Sequence, residues 1–336
     1  MASVEMVEIW RGGFRESVHR GHAVVCDASG AIVASWGDPD KVFLPRSSSK
    51  MIQALPLVQS GAADARRLGS EQLALACASH NGAEIHTGRV ARWLADLGLS
   101  ETDLRCGPQM PDDPDAFRHF TCSEDAPCQL HNNCSGKHTG FLTLAQHLDA
   151  GPEYIDPLHP VQQAVRAAWE DLTQEDCPGY GIDGCSAPNF ASTLAGMARA
   201  MASFAAARRG RGSRQEAQAR LVEAMMAHPE LVAGEGRACT ELMRALAGAG
   251  VAKTGAEGCF AAILPGKGFG VALKIEDGTT RASESAISAI LVALGVLDPA
   301  HPTARRFIAP RIPNRRGVDT GQLRPVPGTF DRPTLG

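Results

Sequence analysis

Ser47 and Lys50 stand three residues apart in the stretch FLPRSSSKMIQALPL, where a Pro-Arg pair gives way to an apolar helical pattern. At that spacing on a helix two side chains share a face, one turn from each other. A serine hydroxyl is a poor nucleophile until a base takes its proton. A lysine amine is such a base when burial or a neighbouring cation lowers its pKa below the free value of about 10.4. Arginine cannot serve, because its guanidinium stays protonated. The distinction matters in a chain with six lysines against 27 arginines. Compositional bias alone would scatter six lysines anywhere; a lysine one turn from a serine offers serine acyl transfer. The N-terminus of the helix helps by disfavouring an ammonium and offering amides to an oxyanion. Ser48 and Ser49 have no lysine three residues ahead and are expected to cap the helix.

Ser-x-x-Lys is a weak motif by itself and gains weight from what accompanies it. Lys253, Thr254 and Gly255 lie just before an expected strand, and Lys-Thr-Gly leading a strand is the second signature of penicillin-binding-type acyl transferases. Between the two, Ser79 in CASHNG ends a helical pattern and enters a turn, in the place of that group's middle element. A third lysine, Lys137, sits with Cys134 and His138 in LHNNCSGKHTG, and Asp183 and Cys185 share the glycine-rich turn GYGIDGCSAPN. Spacing alone does not make these a metal centre: there is no Cys-x-x-Cys pair, and lysine is an uncommon zinc ligand. On spacing, they are buried cysteines beside turns.

These residues need elements to position them. The chain has 336 residues, a formal charge of -4 and ten cysteines. That charge offers no footprint for nucleic acid; the one short basic cluster, ARRGRGSR from Ala207 to Arg214, has the composition of a solvated loop. MASVEMVEIWRGG has no basic-then-apolar leader pattern and no segment is an uncharged membrane-length run, so a cytoplasmic protein with reduced cysteines is expected. RGHAVVCDAS and GAIVASWGD form one expected hairpin, and GCFAAILPGKGFGVALKIEDG a second, turning at 265–268. Between them, residues 48 to about 250 carry a helical period, and a helix over 283–294 precedes a Pro- and Arg-rich tail. The pattern is α+β: an antiparallel sheet drawn from both termini, with a large inserted helical lobe. One domain is expected over 1–336, with a sheet lobe at about 1–45 and 250–336 and a helical lobe at about 46–249. CGPQMPDDPDAFRHFTCSEDAPC is expected to be a long loop lining a site.

Taken in order, PRSSSKMIQALPL, ASHNG, NNCSGKHTGFL, GIDGCSAPN and KTGAEG resemble the asparaginases of the Rhizobium etli type, over nearly the whole chain. The resemblance implies a homodimer with a serine β-lactamase-like fold that hydrolyses L-asparagine to L-aspartate and ammonia. It implies Ser47 as nucleophile with Lys50 as base, Ser79 paired with Lys253 as a second dyad, and one zinc ion held by Cys134, Lys137 and Cys185. Arg46, His138 and Asp183 then surround the substrate, with zinc positioning it. One departure is the polar Ser48-Ser49 pair, where the family carries apolar residues beside the base. A β-lactamase-like or other serine amidase or peptidase, and a non-catalytic metal or thiol sensor, are the competing functions.

Overall fold

The computed structural model describes residues 2–331 and divides the chain into two compact units. One comprises the residues up to Ser48, Ser192–Ala206 and those from Glu241 onward; the other comprises Ser49–Ala191 and Ala207–Thr240. The strands in chain order are β1 (Val4–Arg11), β2 (Phe14–Cys26), β3 (Ile32–Trp36), β4 (Val42–Phe43), β5 (Tyr180–Ile182) and β6 (Pro188–Phe190). They continue as β7 (Ser192–Thr193), β8 (Val251–Thr254), β9 (Cys259–Leu264), β10 (Phe269–Ile275), β11 (Arg311–Pro313) and β12 (Asp319–Pro325).

The first unit is built on an antiparallel sheet in the order β11-β12-β1-β2-β10-β9-β8, with β3 also paired to β2. Both expected hairpins are present, β2–β3 with Val25 opposite Ala34 and β9–β10 with Ala261 opposite Ala272. The sheet extends further than the sequence pattern indicated, through β1 and the Pro- and Arg-rich tail. Two register shifts against β2 break the alternation of β1, and β12 has one buried residue, Leu323. Cross-strand pairing makes these strands rather than apolar periodicity. Glu8 of β1 faces Arg324 of β12 and accepts from its Nε at 2.8 Å, with Arg15 Nε at 3.1 Å on the other carboxylate oxygen.

The helix Leu194–Ala206 belongs to this sheet unit and not to the helical lobe expected from its position in the chain. Its side chains are apolar and small nearly all round, from Leu194 to Ala205, the mark of a helix that must be covered. It packs on β10 and β2. At Gly270 the approach is so close that a Cβ would fall 2.0 Å from Ala202 N and 2.3 Å from Ala198 O, both helix backbone. Further along, β7 pairs with β4, Val42 opposite Thr193, which anchors the segment leading to Ser47.

The second unit is helical apart from the β5–β6 hairpin. Its centre is the helix Ser135–His147, buried at every position from Ser135 to Ala145 and packed against Lys50–Gln59, Ser70–Ala76 and Glu84–Asp96. The long loop expected over 106–128 contains a helix, Pro114–Cys122. Asp113 caps it by accepting from the amides of Asp115 and Ala116, and Pro114 occupies the first turn, where its missing N–H costs nothing.

Because backbone cannot yield at Gly270 as a side chain would, Gly270→Ala should lower stability by about 3 kcal/mol. A denaturant midpoint measured against the parent protein checks this, and an unchanged midpoint would mean the helix does not sit on β10 as described.

Candidate active site

Three of the six lysines are sealed from water, and they are Lys50, Lys137 and Lys253, at 1%, 2% and 0% exposure. Lys41 and Lys267 are exposed and Lys274 half-buried. Each buried amine needs partners, since an unpaired charge or donor in the interior is costly.

In the sheet unit, Ser47 lies on a 3-10 turn, Arg46–Ser49, directly ahead of the helix Lys50–Gln59. Ser47 is half-buried. The turn begins in a left-handed conformation at Arg46, φ 54°, unfavourable for a side chain with a Cβ and of the kind that functional sites hold in place. Ser48 and Ser49 do not cap the helix as expected. Ser48 spends its hydroxyl and its amide on Pro45 O, at 2.7 and 3.2 Å, and Ser49 makes no side-chain cap bond. The end of β8 closes on this turn. A Cβ on Gly255 would lie 2.5 Å from Pro45 O and 3.0 Å from Ser48 N, so the glycine of Lys-Thr-Gly lets the strand reach the Ser47 segment. Lys253 lies on β8, and its Nζ donates to Thr254 O at 2.9 Å.

In the helical unit, Lys50 Nζ donates to Ala78 O and approaches Asn133 O at 3.5 Å. Ser79 follows Ala78. Its amide donates to Val232 O at 2.8 Å, and its buried Oγ has no hydrogen-bond partner among the described residues. The chain then passes through His80 and Asn81, whose carbonyl accepts from Asp113 N at 2.9 Å and ties this turn to the segment expected to line a site. Gln109 of the same segment accepts from Asn133 N at 3.2 Å.

Cys134, Lys137, His138 and Cys185 meet in one buried cluster. Lys137 Nζ lies 3.2 Å from Cys185 Sγ and 5.4 Å from the centre of the Phe141 ring. Cys134 shares a hydrogen bond with Cys185 and sits 3.0 Å from Asn133 Oδ1. The proton Cys134 donates, with help from Lys137 and His138, outweighs burial and holds the Cys185 thiol well below its ordinary value. Cys134 is pushed up by that same bond and by burial. Burial opposes the charge on Lys137, but Cys185, Cys134 and Asp183 outweigh it and push the amine above its usual range. The two thiols are thus driven apart, Cys185 toward the thiolate beside the Lys137 amine and Cys134 toward the thiol.

Tyr154 OH accepts from Arg105 N at 2.7 Å and lies 2.9 Å from His138 Nδ1, to which it donates; the ring proton is then on Nε2. That nitrogen is buried and closes no hydrogen bond of ordinary geometry, although it favours the ionised Cys185 it approaches. Asp183 builds the β5–β6 turn that presents Cys185: its amide donates to Ala187 O at 3.0 Å and its carbonyl accepts from Ser186 N at 2.9 Å. Ser186 takes φ 68° in the process.

The structure thus brings Cys134, Lys137, His138 and Cys185 together, with Asp183 in the turn that presents Cys185, and joins Lys50 to the carbonyl of the residue before Ser79. Sequence reasoning passed over Asn133, His80 and Tyr154. His80 stood inside the quoted ASHNG, and Tyr154 is one of two tyrosines in the chain; their partners are too distant in sequence for spacing to reveal.

A profile of the family described as L-asparaginase II matches residues 7–325. No curated protein matches the chain in sequence. Among solved structures, a β-lactamase from Mycobacterium bovis is similar at 13% identity, covering 81% of this chain and 94% of that one, with a TM-score of 0.45. A protein titled Mglu in its native form is similar at 15% identity over 84% of this chain and 66% of that one, with a TM-score of 0.46.

In metal-free protein at neutral pH, the ultraviolet thiolate band should be present and disappear in Cys185→Ser. A depressed thiol pKa means the thiolate persists as pH falls below the ordinary cysteine range, and Lys137→Met should move that loss to higher pH. A band absent until alkaline pH would contradict the assignment.

Proposed function

The chain belongs to the L-asparaginase II family, and from that premise we propose that Ser47 attacks the side-chain amide of L-asparagine with Lys50 as its base. The enzyme is an asparagine amidohydrolase, and the acyl-enzyme route is the reading its buried lysines support. The observation that carries it is the setting of Lys50. Two carbonyls, Ala78 O and Asn133 O, take two of the directions around Nζ, which leaves the third for the lone pair of a neutral amine. Ser47 Oγ bonds to the amide carbon as its proton passes to Lys50. The tetrahedral oxyanion collapses, the C–N bond breaks, and nitrogen leaves as ammonia with the proton Lys50 returns. Water then repeats the attack on the ester, releasing L-aspartate and restoring Ser47. Ser79 with Lys253 forms the second dyad in this scheme. Arg46, His138 and Asp183 are the substrate-binding residues in this reading.

Zinc fits the residues present. Two sulfurs and an amine converge there. Among the described residues no group of three or more His, Cys, Asp or Glu could hold a metal ion; in this reading the Lys137 nitrogen is the third donor beside the two sulfurs. When bound, the ion supplies positive charge that orients and polarises the substrate. The resemblance also supports a homodimer working in the cytoplasm. No helix among the described residues is long and apolar enough to cross a membrane.

Ammonia release from L-asparagine, with L-glutamine, D-asparagine and nitrocefin as alternatives, tests the activity. Ser47→Ala should lose roughly a thousandfold or more in kcat while staying folded, and Lys50→Arg should be nearly inactive because a guanidinium cannot accept the proton. An active Lys50→Arg enzyme would remove lysine as the base.

Zinc uptake must displace the protons of Lys137 and Cys134. Titration calorimetry in buffers of different ionisation enthalpy should find about two protons released per zinc at neutral pH, and tighter binding as pH rises. Uptake without proton release would place the metal elsewhere.

A further inference from the structure

His80 is buried to 1% exposure beside Ser79, and the proposed chemistry gives it no task. Both ring nitrogens and the amide are engaged. Nδ1 accepts from Gly82 N at 3.2 Å, so the ring proton is on Nε2, which donates to Ser135 Oγ at 2.9 Å. Ser135 passes its own proton to Leu130 O at 2.9 Å. The His80 amide donates to Asn133 O at 3.2 Å, the same carbonyl that faces Lys50 Nζ. His86 stacks on the ring at 4.7 Å and 7° and holds itself there by a bond between Nε2 and Glu230 O at 2.8 Å.

Two strips of chain supply the Lys50 clamp. Residues 78–82 give the Ala78 carbonyl and residues 130–135 give the Asn133 carbonyl. Neither strip is part of a helix or strand over the carbonyls concerned, so no repeating ladder fixes their separation. What crosses between them is His80, once through its amide and once through its ring. From this geometry we infer that His80 is a positioning residue for the general base: it locks the 78–82 turn onto the 130–135 segment and so sets the direction of the Lys50 amine.

The neutral ring suits this task. Burial first, then His86 and the Lys50 amine, push the imidazole well below its ordinary value. A protonated ring would have no acceptor for Gly82 N and would place a cation near Lys50. Ser135 is the matching half of the lock, since it alone receives the Nε2 proton. Misplacing a reacting group by a fraction of an ångström lowers the rate of the chemical step more than it lowers substrate affinity.

The inference rests on Lys50 serving Ser47, and the test separates the two. Asparagine kinetics are measured for His80→Asn, His80→Gln, Ser135→Ala and the double variant His80→Asn/Ser135→Ala, with Lys50→Met as benchmark and thermal melting as a check on folding. Asparagine keeps an acceptor for Gly82 N but cannot reach Ser135; the glutamine amide reaches it as a donor. His80→Asn should lose about tenfold or more in kcat with KM within about twofold, and His80→Gln should recover to within about threefold of the parent. Ser135→Ala should behave like His80→Asn, and the double variant should be no worse than either, because both break one bond. If Lys50→Met is inactive while His80→Asn keeps the parental kcat, the positioning role is overturned and the Ser47 scheme stands. An active Lys50→Met overturns the scheme itself. Equal losses in the two His80 variants, tracking lost melting temperature, reduce His80 to packing and overturn the inference. Should His80→Asn fail to fold, Ser135→Ala decides: an unchanged kcat overturns the lock.

Discussion

Sealing a lysine amine from water is expensive, and this protein does it three times. An ammonium moved into the interior loses several kcal/mol of hydration unless partners replace the water. The partners here differ. Lys137 faces a thiolate and keeps its charge. Lys50 faces neutral carbonyls, and Lys253 donates to the carbonyl of the residue that follows it. In the proposed scheme an amine held by carbonyls is the one suited to take a hydroxyl proton, and the amine beside the cysteines is the one suited to a metal.

Much of the architecture serves those three environments. The helix Ser135–His147 is buried along eleven positions and brings Lys137 and His138 in its first turn to the Cys185 hairpin. The β5–β6 turn accepts left-handed backbone at Ser186 to deliver that sulfur, and Asp183 ties the turn together. In the sheet unit, the β4–β7 pair and the end of β8 secure the Ser47 segment from two directions, with Gly255 allowing contact no larger residue permits. Arg46 takes left-handed backbone at the start of the turn that carries Ser47.

The chemically distinctive residues were legible because lysine is rare in this chain. Lys50, Lys137 and Lys253 stood out against the arginines before any contact was known, and all three are buried. Strands with clean alternation were legible too, as in β2, β9 and β10. What escaped was decided by distant partners. β12 is a strand because β1 pairs with it across more than three hundred residues, and Leu194–Ala206 joins the sheet because Gly270 opens room for it. Ser48 looked like a cap and is a brace on Pro45. His80 carried no periodic signal, since its bond to Ser135 spans 55 residues.

The central claim is that Ser47 carries the acyl group, and trapping that group tests it most directly. The enzyme is mixed with L-asparagine, quenched in acid within the first turnover and digested, and the aspartyl ester is located by peptide mass spectrometry. The account predicts an ester on the peptide containing Ser47, absent from Ser47→Ala. An adduct on Ser79 or Cys185, or full turnover with no ester on any serine, would contradict it.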